Sequence, residues 1–392
     1  MPRPDLLQRL AAHYDDRARA ALARRLRTVD ATDGIHLHIG GRRLRNFASN
    51  DYLGLAQHPA LREALIAAAG RWGVGATAAH LLGGHRDEHA ALEETLALWT
   101  GRDKALLFST GYMANLGAMG ALLRDGDLCV QDKLNHACLL DGARLSGAEL
   151  RRYPHADVAA ARRQLSARPS AAALLATDGI FSMDGDAAPL RELAALCREE
   201  SALLHVDDAH GIGVVGPEGA GSVAEAGLTQ DDVPVYMATL GKALGVAGAF
   251  IAGSSALIDG LVQFARTHVF TTAMPPALAA ATRAAVDVAR FESWRREQLA
   301  RLIAHFRHGA EQRGIELMTS RSPIQPVCIG DSARALAVSQ RLEAAGFYAP
   351  AIRPPTVPAG QARLRITLSA LHAESDVEAL LDALKLALAS SD

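Results

Sequence analysis

Short, continuous apolar runs alternate with helix-length segments through the middle of the chain, and this alternation narrows the possible folds most. Ala105-Leu106-Leu107-Phe108, Leu128–Gln131, Leu150–Tyr153, Ala171–Thr177, Ala202–Val206 and Val235–Ala238 read as strands. Helical stretches lie between them, entered at Ser109–Asn115, Asn135, Asp157 and Leu190. Strands that stay apolar through successive residues are covered on both faces, which predicts an α/β fold with a mostly parallel central sheet wrapped by helices. Such sheets collect ligands at the carboxyl ends of their strands. At 392 residues the chain also exceeds the size of one hydrophobic core. It divides into an amino-terminal arm with short strands over 1–48, a large domain over 49–285 and a smaller α+β domain over 286–392.

The flanking regions carry other patterns. Asp5 to Arg27 reads as an amphipathic helical arm, with Leu6, Leu7, Leu10, Tyr14 and Leu22 near helical spacing. Arg24, Arg25 and Arg27 form a solvated face from which one could reach an acidic substrate. Gly40-Gly41 marks a hairpin between two alternating stretches. Helices are expected over Pro59–Gly70 and Asp87–Trp99, separated by the small-residue loop Gly75–Gly84. After a strand at Ala249–Ala252 come a helix over Ser255–Arg266 and a long helical stretch, with breaks, over Pro276–Arg313. Strands at Ile315–Thr319 and Ile324–Ile329, a helix over Ala333–Ala345, a strand at Leu364–Leu368 and a helix over Glu374–Leu388 complete the pattern. The three prolines in Arg353–Pro358 exclude a helix there and favour extended backbone.

Charge and cysteine content bound the function. Lys and Arg number 41 against 43 Asp and Glu, so the formal charge of −2 gives no electrostatic case for nucleic acid or an anionic membrane. Cys129, Cys138, Cys197 and Cys328 are scattered without a C-x-x-C, which suggests neither a disulfide framework nor a thiolate metal site, and a reduced cytoplasmic setting fits best. No run reaches the roughly 18 apolar residues of a membrane span, and Arg3, Asp5 and Arg9 interrupt any leader-like stretch.

One segment is chemically unusual. In Thr239-Leu240-Gly241-Lys242-Ala243-Leu244-Gly245, a lysine leaves a buried strand into a turn of small residues. A desolvated lysine loses pKa and becomes an amine nucleophile, as a Schiff base with an aldehyde cofactor requires. Asp207, in Asp207-Asp208-Ala209-His210-Gly211, ends another strand, where a carboxylate can hold a proton on a pyridine nitrogen. His210 would point from the same turn toward the ring's phenolic oxygen. Ser182, in Asp178–Asp186, could reach the same oxygen or satisfy its own backbone. His136 could start a helix or stack on a ring. The junction Ser109–Asn115 could hold a phosphate on backbone N–H groups.

Two further patterns invite other readings. Gly211–Gly216 formally fits G-x-G-x-x-G, but Pro217, Gly219 and Gly221 oppose the helix that a pyrophosphate site needs. His85-Arg86-Asp87-Glu88-His89 formally fits a zinc-peptidase pattern, yet it follows Gly83-Gly84 and starts a helix, where acidic residues are favoured by the dipole alone. No metal is expected.

Taken together, Asn50–Leu55, Asp178–Asp186, Val206–Gly213, Thr239–Gly245, Met274-Pro275-Pro276 and Ala351–Gly360 resemble the pyridoxal phosphate enzymes of aminotransferase fold type I, and more narrowly the α-oxoamine synthases. The resemblance implies pyridoxal 5'-phosphate as cofactor, Lys242 as Schiff-base lysine, Asp207 as pyridinium partner and His136 as stacking ring. It implies Ser182 and His210 at the phenolic oxygen, and Thr239 with the backbone of Gly111 and Tyr112 at the phosphate. Arg353 would bind the amino-acid carboxylate, with Asn50 and Arg24 as further substrate contacts. Phe270-Thr271-Thr272 would reach the partner's phosphate in a homodimer with shared sites. The implied reaction is decarboxylative condensation of L-alanine with a pimeloyl thioester, on coenzyme A or acyl carrier protein, for biotin synthesis. A sibling reaction of glycine with a short acyl-CoA is the alternative. The loop Gly75–Gly84 departs from the family's glycine- and serine-rich pattern by carrying more bulk.

Overall fold

The computed structural model describes residues 3–20 and 22–389, so Ala21 of the expected arm helix lies outside the described residues. The chain forms two compact units, Asn50–Ala300 and the residues on either side of it.

Asn50–Ala300 is built on a seven-stranded sheet. Its strands are β1 (Lys104–Phe108), β2 (Leu128–Asp132), β3 (Glu149–Tyr153), β4 (Ala173–Asp178), β5 (Leu203–Asp207), β6 (Val235–Thr239) and β7 (Ala249–Gly253). The order across the sheet is β1-β7-β6-β5-β4-β2-β3. Neighbours from β6 to β3 are parallel, whereas β7 runs antiparallel to both β6 and β1. The mostly parallel sheet expected from the apolar runs is therefore present, and the reversal of β7 has a local cause. Only Leu240–Gly248 connects β6 to β7, too few residues for the crossover of a dozen or more that a parallel neighbour requires. All residues of β2 and β7 are buried, as cover on both faces demands.

Helices dock on this sheet through small side chains. Ala114 and Ala118 of the Gly111–Leu122 helix pack among Phe108, Met237 and Ile251. Thr110 caps that helix by accepting a hydrogen bond from the Met113 amide at 3.2 Å. Asp157 and Ser254 cap later helices in the same way. The expected helix over Ser255–Arg266 is two, Ser255–Phe264 and Arg266–Val269, because the buried Ala265 adopts an extended conformation between them. The long stretch from Pro276 breaks at Glu292 into Pro276–Phe291 and Ser293–Gln312.

The other unit holds two small sheets. Ala31–Thr32, His36–Ile39, Arg42–Asn46 and Phe347–Tyr348 form one, and Ile324–Gly330, Ala362–Thr367 and Ala351–Ile352 the other. Ile39 faces Arg42 across a two-residue turn whose Gly40 and Gly41 have φ of 57° and 76°. Positive φ at both positions is the hairpin geometry that glycine supplies without strain.

Three expectations for this unit fail. The arm helix ends at Arg19 rather than near Arg27, and none of its residues is buried, so no packing rewards further turns. Ile315–Thr319 is not a strand. Met318 N donates to Pro326 O at 3.3 Å, but Pro326 has no N–H to return the bond, so no ladder extends. Beyond the pair Ala351–Ile352, the proline segment turns instead of staying extended. Among the described residues, no helix is long and apolar enough to cross a membrane.

Candidate active site

Three parallel strands of the large sheet end on polar residues at the same edge: Asp178 on β4, Asp207 on β5 and Thr239 on β6. Asp178 and Asp207 are register partners, and Asp207 faces Met237 on the next strand. A cavity of about 180 Å³ opens there, lined by Gly111, Tyr112, His136, Cys138, Asp178, Ile180, Ser182, Asp207, Ala209, His210, Met237, Thr239 and Lys242.

Lys242 is half-buried, and its Nζ lies 2.8 Å from His210 Nε2. On the far side of that ring, His210 Nδ1 lies 2.8 Å from the buried Tyr52 hydroxyl, which donates to Asn50 Oδ1 at 3.1 Å. One tautomer serves this chain: His210 Nδ1–H donates to Tyr52, leaving the Nε2 lone pair to accept from the lysine amine.

Asp207 is held from behind. Its Oδ2 accepts from Asn115 Nδ2 at 2.7 Å, and its Oδ1 from the Ala209 amide at 3.0 Å. Asn115 accepts in turn from His205 Nε2 at 2.9 Å, and both residues are fully buried. Burial drives the His205 pKa down to about 4 against the opposing pull of Asp207, so the imidazole is neutral at pH 7. Asn115 thus has its carbonyl paired with one buried group and its amide with another, which fixes the orientation of the carboxylate.

Asp178 is a second carboxyl on the same edge. Burial, and after it the charge of Asp207, pushes its pKa well above the usual carboxylate range. Its two oxygens lie 3.3 and 3.2 Å from the His136 amide. His136 caps the Ala137–Ser146 helix through Nδ1, which accepts from Cys138 N at 3.4 Å. Its ring is exposed at the pocket mouth, yet the surrounding protein strips enough hydration to lower its pKa, with Asp207 opposing and Lys242 reinforcing the shift.

Gly111 and Tyr112 start the Gly111–Leu122 helix. A Cβ at position 111 would meet Met237 Cε at 2.9 Å, a contact that the flexible methionine could relieve by shifting its terminal methyl. Thr239 Oγ1 donates to Gly248 O at 3.0 Å. Ser182 lines the cavity from the loop after β4. His155 ties that loop to β2, with Nδ1 3.1 Å from Asp132 Oδ1 and Nε2 2.7 Å from Asp186 Oδ2. Thr271 is half-buried, and Thr272 forms an isolated antiparallel bridge with Ala79. Arg24 and Arg353 belong to the other unit, where Arg24 donates to Thr356 Oγ1 at 3.0 Å.

The family described as aminotransferase class I and II matches residues 42–384. The chain belongs to this family. A relative named 8-amino-7-oxononanoate synthase from Xanthomonas axonopodis pv. citri (strain 306) is 53% identical over 98% of this chain and 96% of its own length. Another of that name, from Xanthomonas campestris pv. campestris (strain B100), is 54% identical over the same shares. Among solved structures, a serine palmitoyltransferase from Sphingomonas wittichii superposes with a TM-score of 0.93 at 31% identity, covering 98% of each chain. A serine palmitoyltransferase solved with PLP gives a TM-score of 0.93 at 27% identity, again over 98% of each chain. The resemblance to fold type I enzymes drawn from the sequence holds across the whole family match.

Within this family's fold, several pocket residues carried no sequence signal strong enough to single them out. Asn115 sits inside an alanine-rich helix and looks like any solvated polar residue until the fold buries it. Tyr52 and Asp178 lie in motifs quoted for the resemblance, and a hydroxyl following Asn50 or an acid at a strand end was the available hint. Cys138 Sγ lies 2.8 Å from His136 Nδ1 and accepts from Asn115 Nδ2 at 3.0 Å, and burial, then Asp207, raises its pKa, so it stays a thiol. Its spacing from other cysteines gave no clue to this position.

Proposed function

We propose that this protein is a pyridoxal phosphate-dependent C-acyltransferase that condenses L-alanine with a pimeloyl thioester, giving 8-amino-7-oxononanoate, carbon dioxide and free thiol in biotin biosynthesis. One observation carries the proposal. A chain 53% identical to 8-amino-7-oxononanoate synthases along 98% of its length gathers Lys242, Asp207 and His136 around one cavity.

The pocket suits a phosphorylated pyridine aldehyde. It offers an amine, a fixed carboxylate, a flat exposed imidazole and a helix start. In this reading Gly111 and Tyr112 hold the phosphate on their amides, with the helix dipole favouring the anion, and Thr239 supports them. Thr271 and Thr272 reach the phosphate of the partner subunit in a homodimer. His136 stacks on the ring, and Ser182 and His210 address its phenolic oxygen. When bound, the cofactor supplies the electron sink for carbanion chemistry. Asp207 holds the proton on the ring nitrogen, and Asn115 keeps the carboxylate turned toward it. Lys242 would hold the cofactor through Nζ and would take the α-proton of alanine at that atom. Arg353 grips the amino-acid carboxylate through its guanidinium fork, while Asn50 and Arg24 contact substrate.

In this reading the unit Asn50–Ala300 acts as the cofactor-binding domain, and the protein works in the cytoplasm. Thiol release with L-alanine and pimeloyl-CoA or pimeloyl-acyl carrier protein tests the assignment, with glycine and serine and with acetyl-, succinyl- and palmitoyl-CoA as comparators. Highest kcat/KM for the alanine and pimeloyl pair is expected. Preference for glycine with a short acyl-CoA would move the protein to a sibling activity.

A further inference from the structure

Four imidazoles gather at the start of the Asp87–Thr100 helix, and none of them lines the Lys242 cavity. His80 stands in the His80–Leu82 turn, His85 just before the helix and His89 in its first turn. His268 stacks on His80 with ring centroids 4.6 Å apart. Donor atoms of His80, His85 and His89 all lie within 4.8 Å of one another.

We propose that His80, His85 and His89 bind a divalent transition metal of the zinc class, with Glu93 orienting His85. Tetrahedral coordination at roughly 2.0–2.1 Å sets donor atoms about 3.3 Å apart. His80 Nδ1 and His85 Nδ1 are already 3.0 Å apart, so this pair needs only a small opening. Their lone pairs cannot both face each other unless one ring donates a proton or a cation sits between them. Glu93 Oε2 lies 3.6 Å from His85 Nε2, on the side of the ring away from its Nδ1. At that separation the two make no hydrogen bond, and a closure of about 0.5 Å would bring the carboxylate to the imidazole N–H, the arrangement that selects one tautomer in metal sites. His89 Nε2 donates to Met274 O at 2.8 Å, which leaves its Nδ1 as the acceptor. That lone pair accepts from the Arg86 amide at 2.9 Å, a contact that metal binding would exchange for the ion.

His85 is the solvent-facing member and gives the ion its route in. Imidazole donors favour zinc, nickel and copper over magnesium and calcium, which take oxygen ligands. The site also touches the segment carrying Thr271 and Thr272, because Ala79 bridges Thr272 and the Ala273 amide donates to Ala78 O at 3.0 Å. The peptidase reading of His85-Arg86-Asp87-Glu88-His89 is not revived. The helix spacing supplies two of the donors, but His80 supplies the third from outside the pattern.

The test is equilibrium dialysis of the cofactor-loaded, tag-free protein against zinc chloride, nickel chloride or magnesium chloride, with metal counted per chain. About one zinc or nickel and no magnesium is expected. His85→Ala, at a solvent-facing position, is expected to abolish binding with its melting temperature preserved, and Glu93→Gln to weaken it about 10- to 100-fold. Absence of stoichiometric zinc and nickel in the native protein overturns the proposal. So does binding that survives both His85→Ala and His80→Gln, since the ion would then sit elsewhere. The readout is metal content, so it stands or falls independently of the proposed reaction.

Discussion

The carboxyl edge of β4, β5 and β6 and the Leu6–Arg19 helix are opposites in how their side chains are used. At the sheet edge, Asn115, His205, Asp178 and Asp207 are polar and buried, and each is tied to another buried group. Along the arm helix, Leu6, Leu7, Leu10 and Tyr14 are apolar and exposed, and no residue is buried. An amphipathic pattern was enough to form the helix without supplying anything for its stripe to cover. The sheet edge has the reverse character. Its polar groups would be costly if any partner were removed, and that mutual dependence is the character expected of the site proposed for the chemistry.

Substitutions should separate the two regions sharply. Lys242→Ala is expected to lower turnover by at least about 10³-fold with an unchanged melting temperature, measured by thiol release and thermal unfolding. Asp207→Asn, which keeps the shape but not the charge, should lower kcat by about 10²-fold or more while KM changes less. Asn115→Leu should be the mixed case. It leaves the Asp207 carboxylate short of a donor and His205 without its acceptor, which predicts a loss of about 1–3 kcal/mol in chemical denaturation together with about tenfold in kcat. If Asn115→Leu proved silent in both assays, the interlocking of the edge would lose its meaning.

His155 gives a pH-dependent test. Burial alone would lower its pKa, but its hydrogen bonds to Asp132 and Asp186 overcome this and hold it at about 10. A histidine raised in the folded state contributes stability that is fully present below its unfolded pKa of about 6.5 and is lost as pH climbs through the folded value. The melting-temperature gap between the native protein and His155→Gln should therefore be widest below pH 6.5 and close toward pH 10. The arm supplies the smallest effect. Asp5 caps the helix by accepting from the Leu7 amide at 2.8 Å. Asp5→Ala should fray the helix in amide exchange yet shift the global melting temperature by less than about 1 °C, because nothing is buried there.

These contrasts also explain what could be read before the fold was known. Continuous apolar runs gave the parallel strands, and small residues around Lys242 singled out the amine, because both signals are local. The reversal of β7 was implicit in the short link between Thr239 and Ala249 but needed the partner strands to become visible. Ile315–Thr319 has strand-like composition, and only its pairing with Pro326 shows why it cannot join a ladder. Asn115 was hidden for the complementary reason. One amide on a helix acquires its role from a histidine 90 positions and a carboxylate 92 positions away in sequence. Contacts at such separation leave no periodicity to detect.

The register that pairs Asp178 with Asp207 has a further consequence for the proton inventory of the pocket. Two acids sit on adjoining rungs, and burial together with the neighbouring Asp207 carboxylate favours the hydrogen-bearing form of the Asp178 side chain. A carboxyl biased that way adds little competing charge beside Asp207, the residue proposed to face the ring nitrogen.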